Sequence, residues 1–328
     1  MNGTPEKIIC SKCGQKMNIS ELQPFDEFPC PRCKTITICP KIFDRYYLLE
    51  VCGIGGRSKV YRAIDPEINT SVAIKITNSD LIDQTHLERF AYEAKLVSSI
   101  NHPGIVRTFR GGVFENQPFL VMEFMKKGTL EGLQQDFMLP PSEKILHWLA
   151  IIADGLHAAS KLGIVHHDVK PANIMLSEDG DVKIGDFDLA EINTDSNSDE
   201  SANWVSIAFV SPERVMYGRE DYRGDIFSLG ATAYELLTGE YPFGNTGDAD
   251  EIIERRREFD FPPVCTLNST VSASMSDFIT EMMSFDPELR PSYPEIVHMF
   301  RSNGKSRKSA IRDISFFPIF KKSSNQEN

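Results

Sequence analysis

The stretch from residue 166 to residue 188 constrains this chain more than any other part of it. Two aspartates, Asp168 and Asp186, lie on either side of a short predicted hairpin, and Lys170 and Asn173 follow the first of them. A carboxylate can accept the proton of an attacking hydroxyl, and an ammonium can neutralise charge on a phosphoryl group. Amide and carboxylate oxygens are ligands that suit magnesium. The pattern therefore indicates one site for phosphoryl transfer.

A glycine-rich segment upstream, between two runs predicted as strands, indicates a phosphate-binding loop. Its glycines, among them Gly53 and Gly55, let backbone amides approach phosphate oxygens because no side chain intervenes. Such a loop alone is a weak sign, since many turns are rich in glycine. Lys75 follows on the next apolar, β-branched run, and Glu93 lies in an amphipathic stretch predicted as a helix. A lone lysine or glutamate on such elements is usually a solvated surface charge.

The order of these features resembles the protein kinase family, and the resemblance covers about Tyr46 to Phe300. It implies that Lys75 contacts the α- and β-phosphates of ATP and that Glu93 is the partner that holds the lysine. Ser58 stands where the family has a third loop glycine. Because loop, lysine, glutamate and the catalytic residues come in the family's order, chance is a poor explanation.

The resemblance also implies where the adenine ring of ATP lies. Met122 would lie behind the ring, and backbone groups near Glu123 and Met125 would bond its edge. Val60 and Ala73 would cover one face of the ring. These five positions are also ordinary core positions of strands, and the two roles are compatible.

The implied fold is α+β and bilobal. A small β-rich lobe with one helix is expected over residues 46–125, and a larger helical lobe over residues 126–300. In the second lobe, Ser211–Glu213 resembles the family's Ala-Pro-Glu box, and Arg290 resembles the usual partner of its glutamate. The run Asp225–Leu237 is apolar nearly all round, which predicts a buried helix.

The catalytic loop also bears on the acceptor. In the family, a lysine placed like Lys170 goes with serine/threonine kinases, and the motif at residues 101–106 looks most like the bacterial ones. The resemblance implies a serine/threonine protein kinase that transfers the γ-phosphoryl group of ATP to Ser or Thr hydroxyls of proteins. Asp168 would be the catalytic base, and Asn173 and Asp186 would hold magnesium.

Two departures from the family pattern leave other interpretations open. His167 replaces an arginine that commonly pairs with a phosphate on the activation loop, and histidine lacks the arginine fork. Either the enzyme does not depend on activation-loop phosphorylation, or the substitution has no regulatory meaning. Asp188 replaces a glycine, which reduces the mobility expected there. The alternative function is that of a pseudokinase, a nucleotide-binding signalling scaffold.

The first 40 residues predict a small metal-bound unit. Five of the seven cysteines lie before residue 40, and two Cys-x-x-Cys pairs are separated by sixteen residues. That is the spacing of a four-thiolate zinc ribbon, and metal would supply folding energy that so short a segment lacks. Disulfides and free thiols are the rival interpretations, and a reducing compartment disfavours the disulfides. The predicted structural zinc ligands are Cys10, Cys13, Cys30 and Cys33.

Charge and hydropathy limit the partners. The formal net charge of −12 argues against nucleic-acid binding, and the near balance of charges in the ribbon favours a protein partner instead. No apolar run approaches the roughly 20 residues that a membrane-spanning helix needs, so we expect no such segment and a cytoplasmic location. Residues 301–328 are basic and serine-rich and are expected to be disordered.

Overall fold

The computed structural model describes residues 5–10, 12–55, 58–77, 84–187, 208–244, 249–258 and 261–303. The expectations for Asp188 and for most of the 301–328 tail lie outside these residues. The backbone at Glu93 is described, but its side chain also lies outside the description.

The N-terminal segment forms two antiparallel hairpins, each with a cysteine pair in its turn. The Gly14 amide donates to the Cys10 carbonyl and the Lys34 amide to the Cys30 carbonyl, each at 2.9 Å. Both donors have a left-handed backbone, with φ of 71° at Gly14 and 62° at Lys34. Each turn is therefore a tight knuckle that aims two sulfurs to one side. The strands are β1 (Lys7–Ile9), β2 (Lys16–Asn18), β3 (Glu27–Pro29) and β4 (Ile36–Ile38).

A six-stranded antiparallel sheet, in the order β5-β6-β7-β8-β10-β9, forms the small lobe together with helix α1. Phe43 on the edge strand packs edge-on against Phe114 and Phe119, with ring centroids 5.1 and 5.4 Å away. The sheet thus begins before residue 46. Its elements are β5 (Lys41–Phe43), β6 (Tyr46–Ile54), β7 (Ser58–Asp65), β8 (Thr70–Thr77), α1 (Gln84–Ser98), β9 (Thr108–Phe114) and β10 (Gln117–Glu123).

The larger lobe is built around one buried helix, α5 (Tyr222–Thr238). Its residues Gly224 to Leu237 are all buried, which confirms the prediction from its apolar sequence. The Asp221 carboxylate caps the N-terminus by accepting the Arg223 amide at 2.8 Å, and Gly239 ends the helix with a φ of 81°. The other helices are α2 (Leu130–Gln135), α3 (Ser142–Ser160), α4 (Pro212–Tyr217), α6 (Ala249–Glu258), α7 (Val264–Leu267), α8 (Ala273–Met282) and α9 (Tyr293–Arg301).

A two-stranded hairpin, β11 (Ile174–Leu176) and β12 (Val182–Ile184), lies between the two aspartates, as the sequence predicts. Its open end is closed by the Gly185 amide, which donates to the Asn173 carbonyl at 3.0 Å. The residues after each strand end are thereby neighbours, although they are far apart in the chain. This hairpin is the local reason why Asn173 and Asp186 lie in one site.

Among the residues that the structure describes, no helix is both long and apolar enough to cross a bilayer. The cytoplasmic location stays a prediction.

Candidate active site

The loop that carries Asp168 is tied to the buried helix α5. Asp225 accepts the backbone amides of His166 and His167, both at 2.8 Å. Burial raises the pKa of Asp225 to about 7, and the two amide hydrogen bonds oppose that rise. His167 has a left-handed backbone with a φ of 67°. The position of Asp168 is thus set from the core of the lobe.

His166 joins this loop to the segment that carries Asp186. Its Nε2 lies 3.0 Å from the Gly185 carbonyl, and its Nδ1 accepts the Asp168 amide at 3.2 Å. Complete burial lowers the pKa of His166 to about 4, so the ring is neutral at pH 7. The tautomer with hydrogen on Nε2 satisfies both contacts. The ring also packs on Phe187, with centroids 4.5 Å apart.

Three of the four side chains predicted for catalysis, Asp168, Lys170 and Asn173, meet at the Asp168 carboxylate. Asn173 Nδ2 donates to both Oδ2 and the main-chain carbonyl of Asp168, each at 2.8 Å. Lys170 Nζ also lies 2.8 Å from Oδ2. Oδ2 is therefore engaged by two donors, which leaves Oδ1 as the oxygen suited to accept a hydroxyl proton. The predicted grouping of Asp168, Lys170 and Asn173 is present.

The second aspartate reaches the other lobe. Asp186, at the end of the hairpin, forms an ion pair with Lys75 on β8. Asp186 has a left-handed backbone with a φ of 64°. The sequence predicts a different partner for the lysine, Glu93, and that contact stays a prediction because the glutamate side chain is outside the description. The pair between Lys75 and Asp186 is a contact that the sequence analysis missed.

The residues predicted to cover the adenine ring lie on neighbouring strands of the sheet. Val60 lies opposite Lys75 in the register of β7 and β8, and Met122 lies opposite Ala73 in that of β10 and β8. Because side chains alternate along a strand, Ala73 and Lys75 share a face, and so do their cross-strand partners. Gly53 lies opposite Val60. The predicted base-covering residues therefore line the same face as the predicted phosphate-binding lysine.

Glu123 has a role that sequence reasoning missed. Its carboxylate binds Lys183 Nζ at 2.7 and 2.8 Å and accepts the Arg107 amide at 2.6 Å. Its own amide donates to the Arg107 carbonyl at 2.9 Å. The side chain thus ties the connector between the lobes to strand β12. The bonds predicted from backbone groups near Glu123 and Met125 to adenine stay a prediction.

The four ribbon cysteines form a second candidate site. Their sulfur atoms all lie within 4.8 Å of one another, and the Cys10–Cys33 and Cys13–Cys30 pairs are each 3.6 Å apart. A tetrahedron with Zn–S bonds of about 2.3 Å has S–S edges of roughly 3.8 Å. A disulfide would need about 2.05 Å. The spacing fits a shared metal ion and does not fit the rival disulfides.

Hydrogen bonds favour the thiolate form at Cys30 and Cys33. At Cys13 the hydrogen bond from the Gln15 backbone lowers the pKa, but burial and the other three sulfurs outweigh it and raise the pKa to about 12. The Thr35 side chain and amide lower the pKa of Cys33 to about 6, and the Cys33 amide lowers the pKa of Cys30. Metal binding requires deprotonated thiols, so these contacts suit the donor set. The ribbon also contacts the small lobe, where the Phe25 ring stacks on Tyr61 with centroids 6.2 Å apart.

A β-rich lobe that offers a lysine faces a helical lobe that offers a carboxylate, an amide and a second lysine on one loop. This combination defines a protein kinase fold, a class of protein that uses ATP and magnesium. The chain belongs to that family, because the family model for the protein kinase domain matches residues 46–300.

Curated relatives agree with this assignment. The chain is 38% identical over 225 residues to serine/threonine-protein kinase PknL of Mycobacterium tuberculosis. The matched residues are 67% of this chain and 56% of the relative. The chain is 34% identical over 266 residues to serine/threonine-protein kinase PknB of Mycobacterium leprae, with 78% and 42% covered. PknB of Mycobacterium tuberculosis is 33% identical over 255 residues, with 75% and 41% covered. The chain thus spans about half the length of the curated relatives it matches.

Proposed function

We propose that this chain is a protein serine/threonine kinase that transfers the γ-phosphoryl group of ATP to Ser or Thr hydroxyls of proteins. One observation carries the proposal. Asp168 is fixed by Asn173 and Lys170 in one lobe, and Asp186, at the end of the hairpin that follows, reaches Lys75 in the other lobe. A proton acceptor and cations for phosphate charge thereby line a single cleft.

Each residue then has a defined role. The acceptor oxygen bonds to the γ-phosphorus while the bond to the β–γ bridging oxygen breaks and ADP leaves. Asp168 takes the hydroxyl proton on Oδ1 as this happens. Lys170 neutralises charge on the transferring group, and Lys75 binds the α- and β-phosphates, with Glu93 as its proposed second partner.

The donor set at the cleft fits magnesium. Asn173 uses its Nδ2 on Asp168, so its Oδ1 is the atom left for a cation, and Asp186 adds a carboxylate. Hard oxygen donors of this kind suit Mg²⁺. A bound ion would supply positive charge that offsets the charge of the phosphates. Asn173 and Asp186 are the residues that would hold it.

We propose that Cys10, Cys13, Cys30 and Cys33 hold a structural zinc ion and that the ribbon binds a protein partner. The proposed units are the ribbon at 1–40, the kinase domain at 46–300 and the basic tail at 301–328. Metal analysis of the purified chain tests the first point. We expect one zinc ion per chain. A fully folded chain that contains no zinc would contradict the proposed zinc site.

The experiment for the enzyme is transfer of label from [γ-32P]ATP to a generic protein substrate, analysed for phosphoserine and phosphothreonine. Asp168→Asn is the control, since it keeps the shape but loses the proton acceptor, and we expect a loss of at least ~100-fold. Label that persists in Asp168→Asn would indicate a contaminant. A wild-type chain that binds ATP with magnesium but transfers no label would favour the scaffold, which no contact among the described residues of this site supports.

A further inference from the structure

His167, one of the two residues that depart from the family pattern, has a buried acidic partner. Its Nδ1 lies 3.0 Å from Glu220 Oε1, and the Glu220 side chain is only 2% exposed. Glu220 lies between α4 and α5, 53 residues away in the chain. In the family pattern, the residue at position 167 is an arginine that pairs with a phosphate. Here the partner of residue 167 is a carboxylate of the chain itself.

Two more side chains hold the same carboxylate. Arg214 Nη1 lies 3.1 Å from Glu220 Oε1 and also donates to the His167 carbonyl at 2.8 Å. The Ser211 hydroxyl donates to Glu220 Oε2. The carboxylate therefore connects the catalytic loop, through His167, to the Ser-Pro-Glu box and to helix α4. An anion that binds several cationic and hydroxyl donors at once can fix their relative positions.

The charges favour an ionised pair. Burial acts to raise the pKa of Glu220, but hydrogen bonds from His167 and Ser211 and the charge of Arg214 outweigh it, so the pKa is lowered overall. Burial acts to lower the pKa of His167, but the hydrogen bond to Glu220 and the carboxylate charges of Asp225 and Glu220 raise it overall, against Arg214. The imidazole therefore holds its proton to a higher pH than a free histidine does.

A nearby glycine, Gly224, provides the space in which the Glu220 carboxylate lies. Gly224 lies in helix α5 and has no left-handed backbone, so its backbone conformation does not require glycine. A Cβ at this position would lie 1.9 Å from Glu220 Oε2 and 2.3 Å from its Cδ. Glycine inside a helix costs stability relative to alanine. The space it leaves is filled by the carboxylate.

We propose that Glu220 is a positioning residue whose buried carboxylate holds His167 and Arg214, and with them the catalytic loop, in the role that an activation-loop phosphate has in kinases with arginine at this position. The inference rests on the proposed kinase function. It explains why His167 can replace the arginine. One imidazole nitrogen is enough to bind one oxygen of the carboxylate, so the bidentate guanidinium of arginine is not needed. It also predicts an enzyme that needs no phosphate on residues 188–207.

The first test compares phosphatase-treated Glu220→Gln with the wild type and with Glu254→Gln, a matched change at an exposed pair on α6. We expect kcat to fall about ten-fold or more in Glu220→Gln, with KM for ATP nearly unchanged, because the change moves the loop and not the nucleotide surface. Glu254→Gln and phosphatase treatment of the wild type should change nothing. A Glu220→Gln chain within two-fold of wild type, or a wild type that phosphatase inactivates, overturns the proposal. An inactive wild type would instead defeat the proposed function.

A second test follows the protonation of His167 through the pH dependence of kcat. Protonated His167 binds Glu220 most strongly, so the contact is complete below its raised pKa and weakens as pH rises through it. Among the residues that the structure describes, the charged groups that act on this ring besides Glu220 are Arg214 and Asp225. We expect kcat of the wild type to fall on the alkaline side and that of His167→Arg to stay level there, because arginine keeps its charge. The same alkaline fall in both chains overturns the proposal.

A third test probes the space that the carboxylate fills. Gly224→Ala should displace the carboxylate and lower kcat in the wild-type background. In a Glu220→Ala background the same change meets no side chain and should be neutral or stabilising. Equal effects of Gly224→Ala in the two backgrounds, measured by kcat and thermal unfolding, would show that the carboxylate does not hold this space.

Discussion

Replacement of Arg290 by methionine should destabilise the large lobe strongly. The Arg290 side chain is 0% exposed, and its two terminal nitrogens bind the two oxygens of Glu213 at 2.7 and 2.8 Å. The remaining donors bind the Ser284, Arg223 and Phe285 carbonyls at 2.9, 2.8 and 3.4 Å. Loss of one partner from a buried pair costs about 3–5 kcal/mol because a charge is left unpaired. At about 2–4 °C per kcal/mol for a domain of this size, the expected fall in Tm is about 6–20 °C.

Thermal unfolding by circular dichroism measures this, with two matched variants. Arg257→Met removes an arginine of the same size from an exposed pair with Glu254, and it should cost less than about 1 kcal/mol. Combined Arg290→Met and Glu213→Leu removes both charges, so it should cost about 1–3 kcal/mol less than the sum of the single changes. If the single changes simply add, the unpaired charge is not the source of the loss and the reasoning is wrong.

Three further predictions concern the two sites. Chelation of zinc, or Cys13→Ser, should unfold the ribbon and expose residues 5–40 to protease while the kinase domain keeps its Tm, and an unchanged digestion pattern would contradict this. Gly185→Ala places a Cβ 2.8 Å from Val106 Cγ2, so it should cost about 1–3 kcal/mol in urea unfolding, and no change in midpoint would exclude the clash. Lys183→Met leaves the Glu123 carboxylate without its ammonium and should raise KM for ATP more than it lowers kcat, whereas an equal effect on both would count against a role at the connector.

The sequence predicted the parts of this molecule whose chemistry is local in the chain. The two cysteine knuckles, the order from Asp168 to Asn173, and the helix that begins near Asp225 each depend on spacings of a few residues. The structure confirms the bilobal fold and brings the four thiols together. The hairpin between Asn173 and Asp186 was also predictable from sequence. Antiparallel strands joined by a short turn bring the chain back to its starting point.

Contacts between distant segments were not predictable in the same way. Lys75 meets Asp186 across 111 residues, and Glu123 meets Lys183 across 60. A charged side chain on a strand has the same local pattern whether its partner is a phosphate, a carboxylate or water. Only the packing of the lobes decides among these partners, and that packing is set by many apolar contacts at once. The resemblance supplied one partner for Lys75, and the structure adds another.

The cluster around Glu220 shows how such a contact leaves a trace in sequence. Taken alone, His167 is explained as a tolerated substitution, and the same explanation serves for Gly224 in helix α5. Each costs something by itself: the histidine loses a fixed charge, and the glycine weakens a helix. A buried glutamate that needs a proton donor on one side and an empty space on the other accounts for both at once. Because a buried carboxylate without partners would be costly, the three residues are best understood as one unit.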